Sequence, residues 1–317
     1  MTADPAPSRR PRVGPRVGLR VGLDIGATKI LGAVMAADGT VVAQAREATV
    51  PGPDGILATA ATVLDRLAGA LDGTLPPTVG IGIPGIVDPV RGTVSHAVNL
   101  GLGSDLFPLA DRLADRTGAT VVVENDLNAA TWGAHVLSGD DDLAYVSLGT
   151  GLAAGFVLGG VLRRGARGAA GEIGHVPVNR VDTLCSCGQR GCLELSASGS
   201  TLSAAWPVDG GASPATALFA AAAAGDARAV AARDGFAAGV ADAIRMLGLA
   251  VDPVAIIIGG GVTHLGGELL GVVVAALRAQ AATSPFLAAL DLASRVRLVP
   301  AGVPIGAIGA AMIGDAR

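Results

Sequence analysis

LAYVSLGTGLAAGFVLGGVLRRG, residues 143–165, repeats the plan of LRVGLDIGATKILGAVMAADGTVV, residues 19–42, and this repeat indicates the fold. Each stretch predicts a strand, a tight turn of glycine and threonine, a second strand, a glycine hairpin turn and a third strand. A repeat of this kind predicts two related α/β halves that face each other across a cleft.

The rest of the chain alternates helical patterns with short apolar strands, which is typical of a mixed α/β protein. Ser104 and Asp105 are expected to cap a helix that ends at Gly118. Helices are predicted at 53–72, 104–118, 127–137, 214–250, 264–282 and 306–314, and further strands at 78–85, 119–126, 253–259 and 295–300.

The composition indicates a globular protein with an ample core. Of the 317 residues, 50% are hydrophobic and 16% are charged, and the net charge is −4. This charge provides no attractive field for nucleic acid or an anionic membrane. No run of about 18 apolar residues occurs, so no membrane-spanning helix is predicted. Residues 1–18 are rich in arginine and proline with no apolar segment behind them, which predicts a disordered tail on a cytoplasmic protein rather than a secretion signal.

The two glycine turns have the composition of phosphate-binding loops, because glycine lets backbone N–H groups come close to phosphate oxygens. In the first turn, Thr28 and Lys29 add a hydroxyl and a cation, and Asp24 could hold a hydrated Mg²⁺. Either turn alone is equally consistent with an ordinary hairpin, but the matched pair favours phosphate binding. The candidate nucleotide-binding residues are Asp24, Gly26, Thr28, Lys29, Gly149, Thr150 and Gly151, with Gly260 and Gly261 of a triple-glycine turn as a surface for base or ribose.

Polar residues follow a buried strand in VENDLN, residues 123–128. Open α/β sheets bind ligands at the carboxyl ends of their strands, where such residues face a cleft. Asp126 could then accept a proton from a substrate hydroxyl while Asn125 orients the substrate. The alternative is that Asp126 is simply the N-cap of the following helix.

All three cysteines lie in LCSCGQRGCLEL, residues 184–195. Three thiolates require a fourth ligand for a closed tetrahedral zinc site, and His175 is the nearest histidine. Structural zinc is therefore favoured over free thiols, and the absence of C-x-x-C argues against a redox role. A zinc ion on His175, Cys185, Cys187 and Cys192 would also bring Glu172 and Glu194 towards Asp126. Such a group of carboxylates suits a polyhydroxylated ligand, although both glutamates could instead be surface residues.

Together these segments resemble the ROK family (repressors, open reading frames, kinases). The family's motifs occur in order as DIGATK (24–29), GIPGIVD (82–88), VENDLNAA (123–130), LGTG (148–151), GEIGH (171–175), CSCGQRGCLE (185–194) and IIIGGG (256–261). The resemblance implies the two-domain actin/hexokinase-like (ribonuclease H-like) fold, ATP with Mg²⁺, structural Zn²⁺, and phosphoryl transfer to a sugar hydroxyl, usually the 6-OH.

Family roles carry over to matching positions of this chain. Asp126 matches the general base and Asn125 a sugar anchor, while Gly85, Asn99, Glu172, His175 and Glu194 match further sugar contacts. The expected domains are 19–126, completed by a C-terminal helix at 304–317, and 127–303, which carries the zinc loop.

The resemblance implies a homodimeric hexose kinase, with glucose as the first candidate. The alternative acceptors are an amino sugar (kanosamine, glucosamine or N-acetylmannosamine) or a C7-cyclitol, because NLGLGSDLF (99–107) and GTGLAAGF (149–156) depart from the usual glucokinase pattern. A non-catalytic sugar sensor is a further alternative. A zinc hydrolase is disfavoured because a closed site leaves no position for water. About twenty residues precede the first motif, so no helix-turn-helix repressor domain is expected.

Overall fold

The computed structural model describes residues 18–178, 182–209 and 211–315. The predicted tail therefore lies outside the described residues except for Gly18, as do the last two residues of the predicted C-terminal helix. None of the described helices is both long and apolar enough to cross a bilayer.

The first half forms a five-stranded sheet with the order β3-β2-β1-β4-β7. Its elements are β1 (Arg20–Ile25), β2 (Lys29–Met35), β3 (Val41–Ala48), α1 (Pro53–Ala70), β4 (Thr78–Ile83), β5 (Ile86–Asp88), β6 (Thr93–Ser95), α2 (Leu109–Thr117) and β7 (Thr120–Asn125). The hairpin strands β1 to β3 are antiparallel, whereas β1, β4 and β7 are parallel. Helix α3 (Asp126–Ser138) leaves directly from the end of β7.

The second half repeats this topology with the order β10-β9-β8-β11-β12. Its elements are β8 (Leu143–Leu148), β9 (Leu152–Leu158), β10 (Val161–Leu162), α4 (Gly199–Ala205), α5 (Pro214–Ala223), α6 (Ala227–Val251), β11 (Ala255–Gly259), α7 (Gly267–Ala281), α8 (Pro285–Leu290), α9 (Leu292–Arg295), β12 (Val296–Leu298) and α10 (Ile305–Met312). The matching strand orders confirm the duplicated α/β halves and the predicted fold class.

Helix α10 returns to the first half and packs against β1, β4 and α3. Glycines make this approach possible, since a Cβ added to Gly80 would lie 1.7 Å from the Ala310 carbonyl oxygen. Helix α3 in turn contacts strands of both sheets, including β4 and β9. The placement of a domain boundary at residues 126 and 127 stays a prediction.

Three predicted helices differ from the structure by more than two residues at one end or by an interruption. The helix predicted from Ser104 begins at Leu109, without a side-chain cap. Residues before it form a bridge instead, in which the Phe107 and Val94 backbones exchange two hydrogen bonds, and Pro108 then provides the turn. The helix predicted at 214–250 is divided into α5 and α6, because the Asp226 side chain caps a new helix by accepting from Ala229 N–H. The helix predicted from residue 264 begins at Gly267, after a 3₁₀ turn.

Candidate active site

Two adjoining cavities meet at the ends of β7 and β8. One, of about 600 Å³, is lined by residues that include Gly85, Asn125 and Asp126. The other, of about 350 Å³, is lined by the second glycine turn together with His175 and Glu194. Asp126, Leu127, Ala153 and Glu172 line both cavities, so Asp126 and Glu172 lie at the junction.

The end of β7 fixes Asn125 and Asp126 through the start of α3. The N-cap of this helix is Asn125, whose Oδ1 accepts hydrogen bonds from Leu127 N–H and Asn128 N–H at 3.0 and 3.3 Å. The alternative that Asp126 is the N-cap is therefore wrong, although its Oδ1 also accepts from Leu127 N–H at 2.9 Å. Asn125 Nδ2 donates to the Gly85 carbonyl at 3.2 Å, which joins the strand end to the turn after β4.

The Asp126 carboxyl occupies a site that favours its protonated form. Burial is the main cause of its raised pKa, and the negative charge of Glu172 raises the pKa further. Hydrogen bonding from Leu127 N–H acts in the opposite direction. A carboxylate whose pKa is raised towards neutrality is a stronger base than an ordinary aspartate, which suits proton abstraction from a hydroxyl.

His175 lies between the two candidate sugar-binding carboxylates. Its Nε2 is 4.0 Å from Glu172 Oε2, and its Nδ1 is 4.0 Å from Glu194 Oε1. The other oxygen of Glu194 accepts a hydrogen bond from Leu152 N–H at 3.3 Å, directly after the second glycine turn. The structure thus brings Asp126, Glu172, His175 and Glu194 together along one cavity wall.

The three thiols and His175 form a compact cluster whose ligand atoms all lie within 4.8 Å of one another. The Sγ atoms of Cys187 and Cys192 are 3.5 Å apart, and Cys185 Sγ is 3.9 Å from His175 Nδ1. Ligands at about 2.3 Å for sulfur and 2.0–2.1 Å for nitrogen around one tetrahedral ion have mutual separations of this size. The donor set and its spacing therefore fit zinc.

Short backbone contacts hold the cysteine loop closed. Cys185 N–H donates to the Gln189 carbonyl at 2.7 Å, and Gly188, with φ of 90°, makes the turn between them. Hydrogen bonds from Gln189, chiefly its backbone N–H, lower the pKa of Cys187 to about 6, whereas burial raises the pKa of Cys192 to about 12. Cys187 is thus readily available as a thiolate, the form that binds metals.

The second glycine turn faces the cavity beside Glu194. A Cβ at Gly151 would lie 2.7 Å from Glu194 Oε2, and the Gly149 carbonyl accepts from Gly199 N–H at 2.8 Å. Gly260, with φ of 90°, packs against the end of β8, where a Cβ would lie 2.5 Å from the Leu148 carbonyl oxygen. The second and third glycine turns are therefore neighbours, as a shared nucleotide surface requires.

Asp24, at the end of β1, is linked electrostatically to Asp126. Burial, and next the charge of Asp126, raise the pKa of Asp24 to about 7, while Lys29 lowers it. Burial and the same two carboxylates also raise the pKa of Tyr145. Two partly buried carboxyl groups held near each other concentrate negative charge when ionised, which a divalent cation would neutralise.

Several predicted site residues lie outside the two cavities. Among the residues described, the cavity linings do not include Asp24, Gly26, Thr28, Lys29, Asn99, Gly260 or Gly261. Asn99 is exposed on a 3₁₀ turn, Val98–Leu100, and Thr28 and Lys29 are exposed on the first glycine turn. Their roles stay predictions.

A charged pair beside Asp126 was not predicted. Arg164 Nε donates to Glu124 Oε2 at 2.7 Å, and both residues line the larger cavity. A glutamate at the end of an apolar strand signals that a partner is needed, but nothing in the sequence identifies a residue forty positions away as that partner.

The duplicated halves, the carboxylates at the cleft and the Cys₃His cluster define an α/β protein of the actin/hexokinase-like class. The sequence model described as "ROK family" matches residues 20–316, so the chain belongs to the ROK family.

The chain is similar to glucokinase from Streptomyces coelicolor, with 37% identity over 180 residues, which is 56% of this chain and 55% of that protein. The chain thus aligns with only about half the length of that relative. It is also similar to N-acetylmannosamine kinase from Yersinia pseudotuberculosis, with 34% identity over 263 residues, covering 79% and 85% of the two chains. Among solved structures, a ROK family glucokinase from Streptomyces griseus in complex with glucose and AMPPNP has a TM-score of 0.75 and 34% identity over 93% of this chain and 99% of that one.

Proposed function

We propose that this chain is an ATP-dependent kinase that phosphorylates the primary 6-hydroxyl of a hexose. The observation that carries this proposal is the position of Asp126 at the junction of two cavities. The larger cavity offers carboxylate and amide groups for a polyol, and the smaller one adds His175 and Glu194 beside a glycine turn suited to phosphates. A base at their junction lies within reach of both a polyol hydroxyl and a phosphoryl group at the glycine turn.

The sugar is held by Gly85, Asn99, Asn125, Glu172, His175 and Glu194 in this proposal. Carboxylates accept hydrogen bonds from several hydroxyls at once, which orients the 6-hydroxyl towards Asp126. Asn125 keeps only one Nδ2 hydrogen for the sugar, because its Oδ1 caps α3 and its other amide hydrogen binds Gly85. Asp126 accepts the hydroxyl proton as the oxygen attacks the γ-phosphorus in line, and the bond from this phosphorus to the bridging oxygen breaks so that ADP leaves.

ATP is placed against Gly149, Thr150 and Gly151, with Gly260 and Gly261 against the nucleoside and Gly26, Thr28 and Lys29 on the opposite wall. Asp24 is the proposed residue for Mg²⁺, which supplies charge stabilisation to the transferred phosphoryl group. Backbone N–H groups of the glycine turns offer further fixed donors to the same oxygens.

His175, Cys185, Cys187 and Cys192 would hold a structural zinc ion, which closes the loop that carries His175 and Glu194. The proposed assembly is a cytoplasmic homodimer, with residues 19–126 and the C-terminal helix 304–317 in one domain and residues 127–303 in the other.

Glucose is the first acceptor to test. A second candidate is an amino sugar, because the N-acetylmannosamine kinase of Yersinia pseudotuberculosis aligns over a larger share of this chain than the Streptomyces coelicolor glucokinase does.

The decisive experiment measures ADP release with Mg-ATP and a panel of D-glucose, N-acetyl-D-mannosamine, D-glucosamine, kanosamine and a C7-cyclitol. Sugar-dependent ADP release, with the phosphate found on the primary hydroxyl by NMR, supports the proposal. Binding of a sugar without any ADP release from folded, zinc-loaded protein indicates a sensor instead. Release of ADP without a phosphorylated sugar contradicts both.

A further inference from the structure

Glu124 is a charged residue that the fold buries almost completely, with 2% of its surface exposed. Its Oε1 accepts hydrogen bonds from Asn125 N–H and from Asn128 Nδ2, both at 3.0 Å. Its Oε2 accepts from Arg164 Nε at 2.7 Å. One carboxylate thus touches the backbone of Asn125, the first turns of α3 and an arginine of the second half.

Arg164 lies at the start of the 164–171 loop, which leads to the candidate sugar-binding residue Glu172. It follows β10, at the edge of the second sheet. The Arg164 carbonyl accepts from Ala170 N–H at 3.3 Å, which closes the loop just before Glu172. The Gly171 carbonyl accepts from Ala154 N–H at 2.8 Å, which fixes the end of the loop on β9.

Stability alone is a poor reason for such a pair. Buried ion pairs are often no more stabilising than apolar residues of similar volume, because both charges lose their hydration. Arg164 and Glu124 instead connect two segments of the proposed active site whose relative position matters for the reaction. Glu124 precedes Asn125 and the base Asp126, while Arg164 begins the loop that ends at Glu172.

We propose that Glu124 and Arg164 are a positioning pair that sets the distance between the base Asp126 and the sugar-binding Glu172. This inference rests on the proposed kinase function. Neither residue needs to touch the reacting atoms, because the pair acts through the start of α3 and through the 164–171 loop. A misplacement of about 1 Å between reacting groups can cost on the order of 100-fold in rate, so a contact of this kind has a measurable effect.

Removing the two charges of the pair one at a time should have unequal effects on activity. Arg164→Met leaves the Glu124 charge buried without its partner, whereas Glu124→Gln keeps the acceptor for Asn125 and Asn128 and leaves a half-exposed arginine. In the double variant no unpaired charge is buried at this position, so the free-energy cost of burying it is removed. The double variant should therefore be more active than Arg164→Met alone.

The test measures kcat and KM for D-glucose and for ATP in the full-length, zinc-loaded protein, along with the melting temperature. Arg164→Met is expected to lower kcat/KM for glucose about 10- to 100-fold with KM for ATP within about twofold. Glu124→Gln should lose less, and the Glu124→Gln/Arg164→Met variant should recover at least about threefold over Arg164→Met. Arg164→Lys, which keeps the charge, should retain intermediate activity and serves if Arg164→Met does not fold.

Arg295→Met is the control for the loss of an arginine ion pair, because Arg295 donates to Asp252 at 2.6 Å and neither residue lines either cavity. Its kinetic constants should stay at the wild-type values. The inference is overturned if the pair variants keep wild-type constants, if KM for ATP rises by the same factor, or if the two single effects simply add. If the wild-type protein phosphorylates no sugar, the proposed function fails and this inference fails with it.

Discussion

Cys185 Sγ lies 3.6 Å from Glu194 Oε1, so the thiol cluster and the candidate sugar site are in direct contact. Through its other oxygen, Glu194 binds Leu152 N–H at the start of β9. A single side chain therefore connects the metal-binding loop, the cavity wall and the second glycine turn. The position of Glu194 depends on whether the cysteine loop is held closed.

Replacement of Cys192 by serine should release the metal and weaken sugar use together. Cys192 is fully buried, and a hydroxyl is a much poorer zinc ligand than a thiolate. We expect about one zinc per chain in the wild type, clearly less in Cys192→Ser, and at least about tenfold lower kcat/KM for the sugar. Elemental analysis and steady-state kinetics measure the two quantities.

Ser186→Ala in the same loop is the control for Cys192→Ser, because its hydroxyl is not part of the four-ligand cluster. It should keep both zinc and activity. Full activity in a zinc-free Cys192→Ser protein would show that the metal does not support the site.

Replacement of Asp126 by asparagine should remove the base while preserving the fold. The amide can still accept from Leu127 N–H, so the start of α3 keeps its hydrogen bonds. Turnover should fall by about 10²- to 10⁴-fold, the usual contribution of a general base, with a small change in KM for the sugar. An ADP-release assay with circular dichroism as the folding control measures this.

The pH profile supplies a second test of Asp126. Its raised pKa means that the base is still partly protonated at a pH where an ordinary aspartate is fully ionised. The acid limb of kcat/KM should therefore lie above the normal aspartate range and rise with pH. A profile that stays flat down to about pH 4 would contradict the assignment of Asp126 as the base.

Local patterns were sufficient to predict the duplicated halves, because a strand, a glycine turn and a hairpin each have a short-range signal. The cysteine cluster was predictable for the same reason, since three of its four ligands lie within eight residues. The start of α2 was not predictable from local patterns, because the pairing of Phe107 with Val94 overrides the local cap signal of Ser104 and Asp105. Arg164 and Glu124 were equally hidden, since only the folded chain brings them together.

Asn125 shows a limit of a different kind. The sequence leaves open whether Asp126 is a general base, with Asn125 orienting the substrate, or only the N-cap of α3. The N-cap is Asn125, whose backbone is extended, with ψ of 141°, as an N-cap requires. This assignment depends on one backbone angle, which the residue types alone do not determine.

Replacement of Asp24 by asparagine should stabilise the metal-free protein at high pH. Because its folded-state pKa is raised from 3.8 to about 7, Asp24 binds a proton more tightly in the folded than in the unfolded chain. Its contribution to wild-type stability is therefore greatest below about pH 4 and is lost as the pH rises to about 7. Asp24→Asn should be the more stable protein at pH 8, by an amount that disappears towards pH 4.

Urea unfolding from pH 4 to 8 in buffer without added magnesium measures this difference. Asp65→Asn, at an exposed position of α1, is the control and should show no such trend. The same Asp24→Asn protein should lose most of its magnesium-dependent turnover, so stability and activity change in opposite directions. Equal pH dependence of stability in Asp24→Asn and the wild type would contradict a raised pKa of the Asp24 carboxyl in the folded chain.

Replacement of Gly80 by alanine should destabilise the fold where α10 joins the two halves. The added Cβ would lie 1.7 Å from the Ala310 carbonyl oxygen, a backbone atom that can move only with its helix. Overpacking of this kind costs about 1–3 kcal/mol or more in the free energy of unfolding. Activity should fall as well, because the first turn of α10 packs against Asp24, where a Cβ at Gly306 would be 2.6 Å from Oδ2.

Gly235→Ala in α6 is the matched control for Gly80→Ala, since no atom beyond the neighbouring backbone of its own helix lies within 4 Å of its added Cβ. Alanine is favoured over glycine in a helix interior by about 1 kcal/mol, so this variant should be more stable than the wild type. Melting temperatures and urea midpoints should therefore move in opposite directions for the same chemical change. If Gly80→Ala left the free energy of unfolding unchanged, close backbone contact with β4 would not be what holds α10 in place.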